Sequence, residues 1–149
     1  MVTTLQTRDE RIAESAARLR PAIVRTARRM RQEAGGELSP TLIASLATIE
    51  RHGPLTPSEL ADIERVKRPT ATRIAAALEK DDLIERAADP TDGRACLLST
   101  SREGKALIKR VRSRKNAYIS RRLRKLGDED VETLARAAEV LERMLEDPS

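Results

Sequence analysis

Three prolines set the frame of residues 38–100. Pro40, Pro57 and Pro69 each stand where the first turn of a helix would begin, in "LSPTLIASLATIERHG" (38–53), "LTPSELADIER" (55–65) and "KRPTATRIAAALEKDDL" (67–83). A first-turn N–H has no partner inside its own helix, so proline costs least there. Ser39 occupies an N-cap position, and Thr56 with Glu59 has capping-box spacing. Gly53 and Pro54 stop the first of these helices. In the second, Leu60 and Ile63 are expected to point inward. In the third, Ala71, Ile74, Ala75 and Leu78 share a buried face and leave Thr70, Thr72 and Arg73 toward the other side, at the N-terminal end. "LIERA" (83–87) and "RACLLS" (94–99) then read as strands around the turn "DPTDGR" (89–94), where Asp-Pro and Asp-Gly are turn formers. Three short helices followed by a two-stranded hairpin is the element order of a winged helix-turn-helix.

Helical spacing continues on both flanks. Ile12, Ala16, Leu19, Ile23, Ala27 and Met30 lie close to a heptad seam, with Pro21 inside it and Gly35-Gly36 at its end. Thr100 and Glu103 have the spacing to cap a helix carrying Leu107, Val111, Ile119, Leu123 and Leu126. Gly127 breaks it, and Asp128 caps a last helix with Val131, Leu134, Ala138, Leu141 and Leu145 at amphipathic spacing. Every charge from Lys105 to Lys125 is basic, and from Asp128 onward acids dominate. Paired antiparallel, such helices attract each other or a partner chain's terminal helices. For any single pair a solvated face is the simpler reading, since an exposed ion pair is worth about 0–1 kcal/mol.

Composition narrows the function. A chain of 149 residues suits one domain or one subunit of a small oligomer. A net charge of +5 points to a polyanionic partner, nucleic acid or an anionic membrane surface. Tyr118 is the only aromatic residue. That argues against RNA-recognition sheets and single-strand-binding barrels, which stack bases on aromatic platforms. It also restricts the core to Leu, Ile, Val, Ala and Met, and leaves apolar helix faces that a partner chain could cover. Cys96 is the only cysteine, so no intrachain disulfide and no zinc-binding cysteine cluster is expected, and Cys96 reads as a small buried hydrophobe. With one histidine, one cysteine, no glycine-rich phosphate loop and no metal-ligand cluster, we expect no enzyme, no cofactor and no metal. No run of about 18 apolar residues exists and the N-terminus lacks an apolar signal-peptide core, so no membrane association and a cytoplasmic location are expected.

The second helix of a helix-turn-helix enters the major groove, and residues at its N-terminal end meet base edges. Here that end offers Thr70, Thr72 and Arg73, with Lys67 and Arg68 just upstream. Hydroxyls contact bases or phosphates, an arginine forks onto guanine or holds a phosphate, and a helix N-terminus favours a phosphate. The hairpin turn could deliver Arg94 to a minor groove, where narrow A·T-rich tracts concentrate negative potential. Asp89 and Asp92 would be repelled by phosphates if unpaired, and make sense if one of them holds Arg94 or Arg86. Which one is open at this level. So is the alternative of a solvated turn.

"LTPSELA", "TRIAAALEKDDLI", the Asp-x-x-Asp-x-Arg stretch "DPTDGR" and the step "LLSTSREG" together resemble the winged-helix core of MarR-family transcriptional regulators. The flanking helices fit that family's layout too. The resemblance implies a mainly α fold with a small β-hairpin wing, the winged helix-turn-helix core (37–100) being flanked by N- and C-terminal dimerisation helices (1–36 and 101–149). It implies an obligate homodimer on a pseudo-palindromic double-stranded DNA operator, with half-sites about one turn, 10–10.5 bp, apart. By the same resemblance Lys67, Arg68, Pro69, Thr70, Thr72 and Arg73 lie at the recognition helix, Arg94 is the wing arginine, and Asp92 is the aspartate that positions it. The implied function is a sequence-specific transcriptional regulator, most often a repressor, released by a small aromatic or phenolic ligand in a cleft between the dimerisation helices and the winged domain. The alternative is an architectural DNA-binding protein with low specificity and no effector. Tyr118, His52, Arg25 and Arg29 are conceivable ligand contacts, though structural or solvated roles are simpler. Some members sense peroxide through a cysteine in the first helix; this chain has none there, and a redox role for Cys96 is the minor reading.

Overall fold

The computed structural model describes residues 6–36 and 38–146. The chain runs α1 (Arg8–Ala34), α2 (Pro40–His52), α3 (Pro57–Glu64), α4 (Arg68–Lys80), β1 (Ile84–Ala88), β2 (Cys96–Thr100), α5 (Arg102–Leu123) and α6 (Asp128–Glu146). It is mainly helical with one two-stranded hairpin, as the sequence implied.

Local chemistry explains where most helices begin. Ser39 Oγ accepts the Leu42 N–H at 3.3 Å. Thr56 and Glu59 form a reciprocal capping box at 3.1 and 3.2 Å. A second capping box joins Thr7 and Glu10 and starts α1 ahead of Ile12, where the apolar spacing begins. α1 runs through Pro21, whose missing N–H costs it the bond to the Ala17 carbonyl.

The start of α5 differs from expectation. Ser101, not Thr100, is the N-cap: its Oγ accepts the Gly104 N–H at 3.0 Å and donates to the Asp82 carbonyl at 2.6 Å. Thr100 is held in the hairpin, opposite Ile84. The strands also sit slightly later than expected. Leu83 is drawn back to α4, its N–H bonding the Leu78 carbonyl at 2.9 Å. Arg94 and Ala95 are drawn into the turn by the two aspartates described below.

The core lies between α2, α3, α4, the hairpin and the first turns of α5. Leu46, Leu60, Leu78 and Leu98 have no exposed surface. All four expected apolar residues of α4 are buried, but Ile63 is not: it is 44% exposed. On this short helix the inward side is Leu60 and Ala61, and Glu64, one turn on, reaches Thr48 of α2 by a side-chain hydrogen bond. Leu98 also pairs with Leu55 through two backbone bonds, 2.7 and 3.0 Å, which fasten the hairpin root to the α2–α3 connection. Leu107, Ile108 and Val111 of α5 belong to this same core. A boundary at residue 100 therefore crosses one packed unit.

The outer helices are less covered. α1 lies along α5, where Arg114 donates to the Ala34 carbonyl at 3.1 Å and Arg121 pairs with Glu33 at 3.5 Å. Arg112 reaches Glu50 of α2 at 3.1 Å. α6 has its amphipathic face but no buried residue: Leu134 is 47% exposed and Leu145 87%. Among the described residues no acid of α6 pairs with a cation of α5, so the attraction within one chain is not used. Among these residues no helix is long and apolar enough to cross a membrane.

Candidate nucleic-acid interface

α3, a three-residue turn and α4 form the helix-turn-helix. The turn depends on Arg65, whose φ of 54° and ψ of 44° are left-handed. That conformation lets the Val66 N–H fold back onto the Ala61 carbonyl at 3.0 Å and places Val66 against the core. Nothing in the side chain of arginine favours this geometry; the two helices packed on either side impose it.

α4 then begins differently from its neighbours. Lys67 is its N-cap residue and makes no side-chain capping bond, whereas α1, α2, α3 and α5 are all capped by a hydroxyl. Pro69 contributes no N–H to the first turn, and no acid stands there. The positive end of the helix therefore carries two further cations, Lys67 and Arg68, and no internal anion.

The side chains fall as the helical spacing requires. Lys67, Arg68, Pro69, Thr72 and Arg73 are exposed, and Thr70 is half-buried. Thr72 Oγ1 donates to the Arg68 carbonyl at 3.0 Å. Its hydrogen is thus committed within the helix, while its lone pairs and methyl group remain free. Such a threonine accepts a bond from a base amino group or touches a thymine methyl. Among the described residues none of Lys67, Arg68, Arg73 and Arg94 has an acidic partner.

The wing tip answers the question about its aspartates. Asp89 Oδ1 accepts two bonds from Thr91, from N–H at 2.9 Å and from Oγ1 at 2.8 Å. Asp92 Oδ1 accepts the Arg94 N–H at 3.0 Å. Neither carboxylate grips a guanidinium. Each closes a turn over its own chain two residues on, the usual competition of Asp side chains for nearby backbone donors. Asp92 therefore fixes the backbone of Arg94 and leaves its side chain to solvent. The bonds from Thr91 hold the Asp89 carboxyl below its ordinary pKa. Gly93 takes no left-handed conformation, and a Cβ there would meet nothing within 4 Å, so the carboxylates rather than Asp-Gly geometry shape this turn.

Arg86 is held from another direction. Its Nε lies 2.6 Å from Glu79 Oε2 at the end of α4, and its Nη1 lies 3.4 Å from Cys96 Sγ on β2. The Glu79 carboxylate, then the Cys96 sulfur, raise its pKa against a partial loss of hydration. Glu79 was not legible as a partner, because pairing a helix end with a strand seven residues on depends on how the two pack. Cys96 is half-buried against the core rather than fully enclosed.

A groove of about 1110 Å³ runs between α1, α5 and α6. It brings together Arg25, Arg29 and Tyr118, joined by Arg122, over a floor that includes Leu123 and Leu134. His52 is not part of it; it ends α2 and is exposed.

Comparison with known proteins follows this architecture closely. Residues 38–96, which span α2 through the first residue of β2, match the model of the family described as MarR. An uncharacterised HTH-type transcriptional regulator of Mycobacterium bovis is 32% identical over 130 residues, covering 87% of this chain and 91% of that protein. The HTH-type transcriptional repressor MdtR of Bacillus subtilis is 32% identical over 113 residues, 71% of this chain and 73% of the repressor. Among solved structures, that of a transcriptional regulator protein from Pseudomonas aeruginosa superposes with a TM-score of 0.83 at 29% identity, covering 96% of this chain and 100% of that one.

Proposed function

The chain belongs to the MarR family of DNA-binding transcriptional regulators, and on that premise we propose that it is a homodimeric, sequence-specific repressor acting on duplex DNA in the cytoplasm. The observation that carries the reading is the uncapped, cation-flanked start of α4 beside a wing whose Arg94 is backbone-fixed and free at its head. In this reading α4 lies in the major groove. Thr72 and Arg73 meet base edges, Thr70 and Pro69 shape the approach, and Lys67 and Arg68 take phosphates. Arg94 enters the adjacent minor groove, with Asp89 and Asp92 ordering the loop that presents it and Arg86 fixing the wing root.

Support for the dimer comes from the outer helices. Ile12, Leu19 and Ile23 of α1 and Leu134 and Leu145 of the apolar face of α6 are exposed in one chain, more apolar surface than a soluble monomer usually leaves bare. A second copy covers them, its acidic α6 attracted by the basic residues of α5. The repressor assignment draws on the B. subtilis relative, which bears that name. Release by a small aromatic acid or phenol belongs to the same proposal, supported by the ring of Tyr118 and the guanidinium groups beside it.

Selection of bound duplexes from a random pool tests the reading. It should return a two-fold-related site with half-sites about 10 bp apart. It should bind at least about 10³-fold tighter than random DNA at matched salt. Equal affinity for all duplexes would mean an architectural protein instead. Sedimentation should give twice the chain mass. A panel of aromatic carboxylates and phenols that leaves operator affinity unchanged would remove the ligand from the proposal.

A further inference from the structure

Arg86 touches three elements at once: it sits mid-strand in β1, bonds Glu79 near the C-terminal end of α4, and bonds Cys96 at the first residue of β2. Its place in the hairpin is specific. It stands directly opposite Leu98, the residue that anchors β2 to Leu55 and to the core. Toward the tip, Ala87 and Ala88 are exposed and Leu97 is only half-buried. Among the described residues no polar side-chain contact joins the hairpin to α4 beyond Arg86. The ion pair is therefore the outermost polar fastening between the helix that carries Thr72 and Arg73 and the loop that carries Arg94.

We propose that Glu79 and Arg86 are positioning residues that fix the angle between recognition helix and wing, and so set which minor-groove base steps Arg94 can reach once α4 is seated. The inference rests on the DNA-binding reading above and adds a specificity determinant to it. Leverage gives the reason that one ion pair matters. From Arg86 the strand climbs about 3.3 Å per residue as far as Ala88 and the closed turn carries the tip farther, so Asp92 lies on the order of 15 Å out. A pivot of about 10° at the root shifts that tip by roughly 3 Å, half the width of a minor groove of about 6 Å. The hydrogen-bonded aspartate turns keep the tip itself stiff, so motion concentrates at the root. Bonding Nε to Glu79 and Nη1 to Cys96 uses two edges of one planar group, which fixes its orientation as a single contact would not. Glu79 has a second effect. It neutralises Arg86, a cation beside the DNA-reading surface that would otherwise add attraction to any phosphate, whatever the sequence.

The test measures binding of the full-length protein to its selected operator with the base pairs under the wing set to A·T or to G·C. Wild type, Glu79→Gln, Arg86→Gln and the charge-swapped double variant Glu79→Arg/Arg86→Glu are compared at one salt concentration. Thermal melting is read alongside, since an exposed ion pair hardly moves it. Both single variants should lose most of the A·T over G·C ratio, a fall of about five- to tenfold, as for one mismatched base pair. Preference at positions under α4 should persist. Glu79→Gln should also bind random DNA more tightly than wild type. The double variant, which restores the ion pair but not the Cys96 contact, should recover part of the ratio. Should a single variant fail to fold, Arg86→Lys, which keeps the charge but not the two-edged contact, should lose part of it. Unchanged ratios in the single variants, or a double variant that recovers nothing, overturn the clamp. A wild-type protein with no duplex preference at all overturns the functional reading instead, and the two failures are thereby distinct.

Discussion

Gly104 offers a stringent check on the junction between winged core and long helix. It is the glycine of "LLSTSREG", it is buried, and it lies in the first turn of α5. A Cβ added there would stand 2.1 Å from the Leu83 carbonyl oxygen and 3.1 Å from its carbon. That is more than about 1 Å inside an ordinary carbon–oxygen contact. The obstacle is backbone, and it is tied: the same oxygen accepts the Ser101 N–H at 3.0 Å. Gly104→Ala must therefore push α5 off the hairpin root and stretch that bond. Overpacking of this kind costs about 1–3 kcal/mol or more, the weakened bond about 1 kcal/mol, and the better helix propensity of alanine returns about 1 kcal/mol. A net loss of about 1–3 kcal/mol follows, a fall in melting temperature of roughly 3–10 °C for a chain of this length. Circular dichroism melts at one fixed chain concentration provide the measurement, because association shifts apparent stability. Gly93→Ala is the control, with nothing within 4 Å of its new methyl group and unchanged melting expected. A Gly104→Ala protein that melts at or above wild type would refute the close approach of α5 to Leu83.

Other perturbations separate the remaining parts. Arg65→Gly should raise the urea midpoint by about 0.5–1 kcal/mol equivalent, since glycine adopts the left-handed turn freely; a lower midpoint would show that the arginine side chain itself holds the turn. Asp89 is depressed in the folded wing, so its bonds to Thr91 contribute fully above the ordinary carboxyl value of 3.8 and are lost as pH falls through the lower folded value. An NMR titration should place the Asp89 midpoint below 3.8 with the Thr91 amide moving in step, and a midpoint at or above it would contradict the turn. Arg94→Ala should weaken operator binding by about 1–3 kcal/mol on an A·T-rich flank and less on a G·C-rich one; equal losses on gel-shift titration would place the guanidinium on phosphate.

The sequence exposes features whose cause is local and hides those whose cause is packing. Pro40 with Ser39, and Pro57 with Thr56 and Glu59, mark helix starts because their bonding partners lie within three residues. The buried face of α4 follows from spacing alone. The Thr7–Glu10 box is equally local, and it stands ahead of the apolar spacing that begins at Ile12. Ile63 misleads because an eight-residue helix has room for two plausible inward faces, and the reach of Glu64 to Thr48 decides between them. Ser101 displaces Thr100 because hairpin pairing claims the threonine first. In the candidate interface the cations and the wing turn could be named from the residues. The left-handed Arg65 and the Glu79–Arg86 pair could not, since each is imposed by elements meeting in space.

The lone aromatic ring has a practical consequence. With no tryptophan in the chain, all near-ultraviolet signal from the protein comes from Tyr118, and that ring lines the groove between α1, α5 and α6. The recognition helix and wing are optically silent. Tyrosine emission therefore reports on the terminal helices alone, with no label. A change in it when duplex is added, beyond that caused by the duplex's own ultraviolet absorption, would record the DNA-reading end speaking to the opposite end of the molecule.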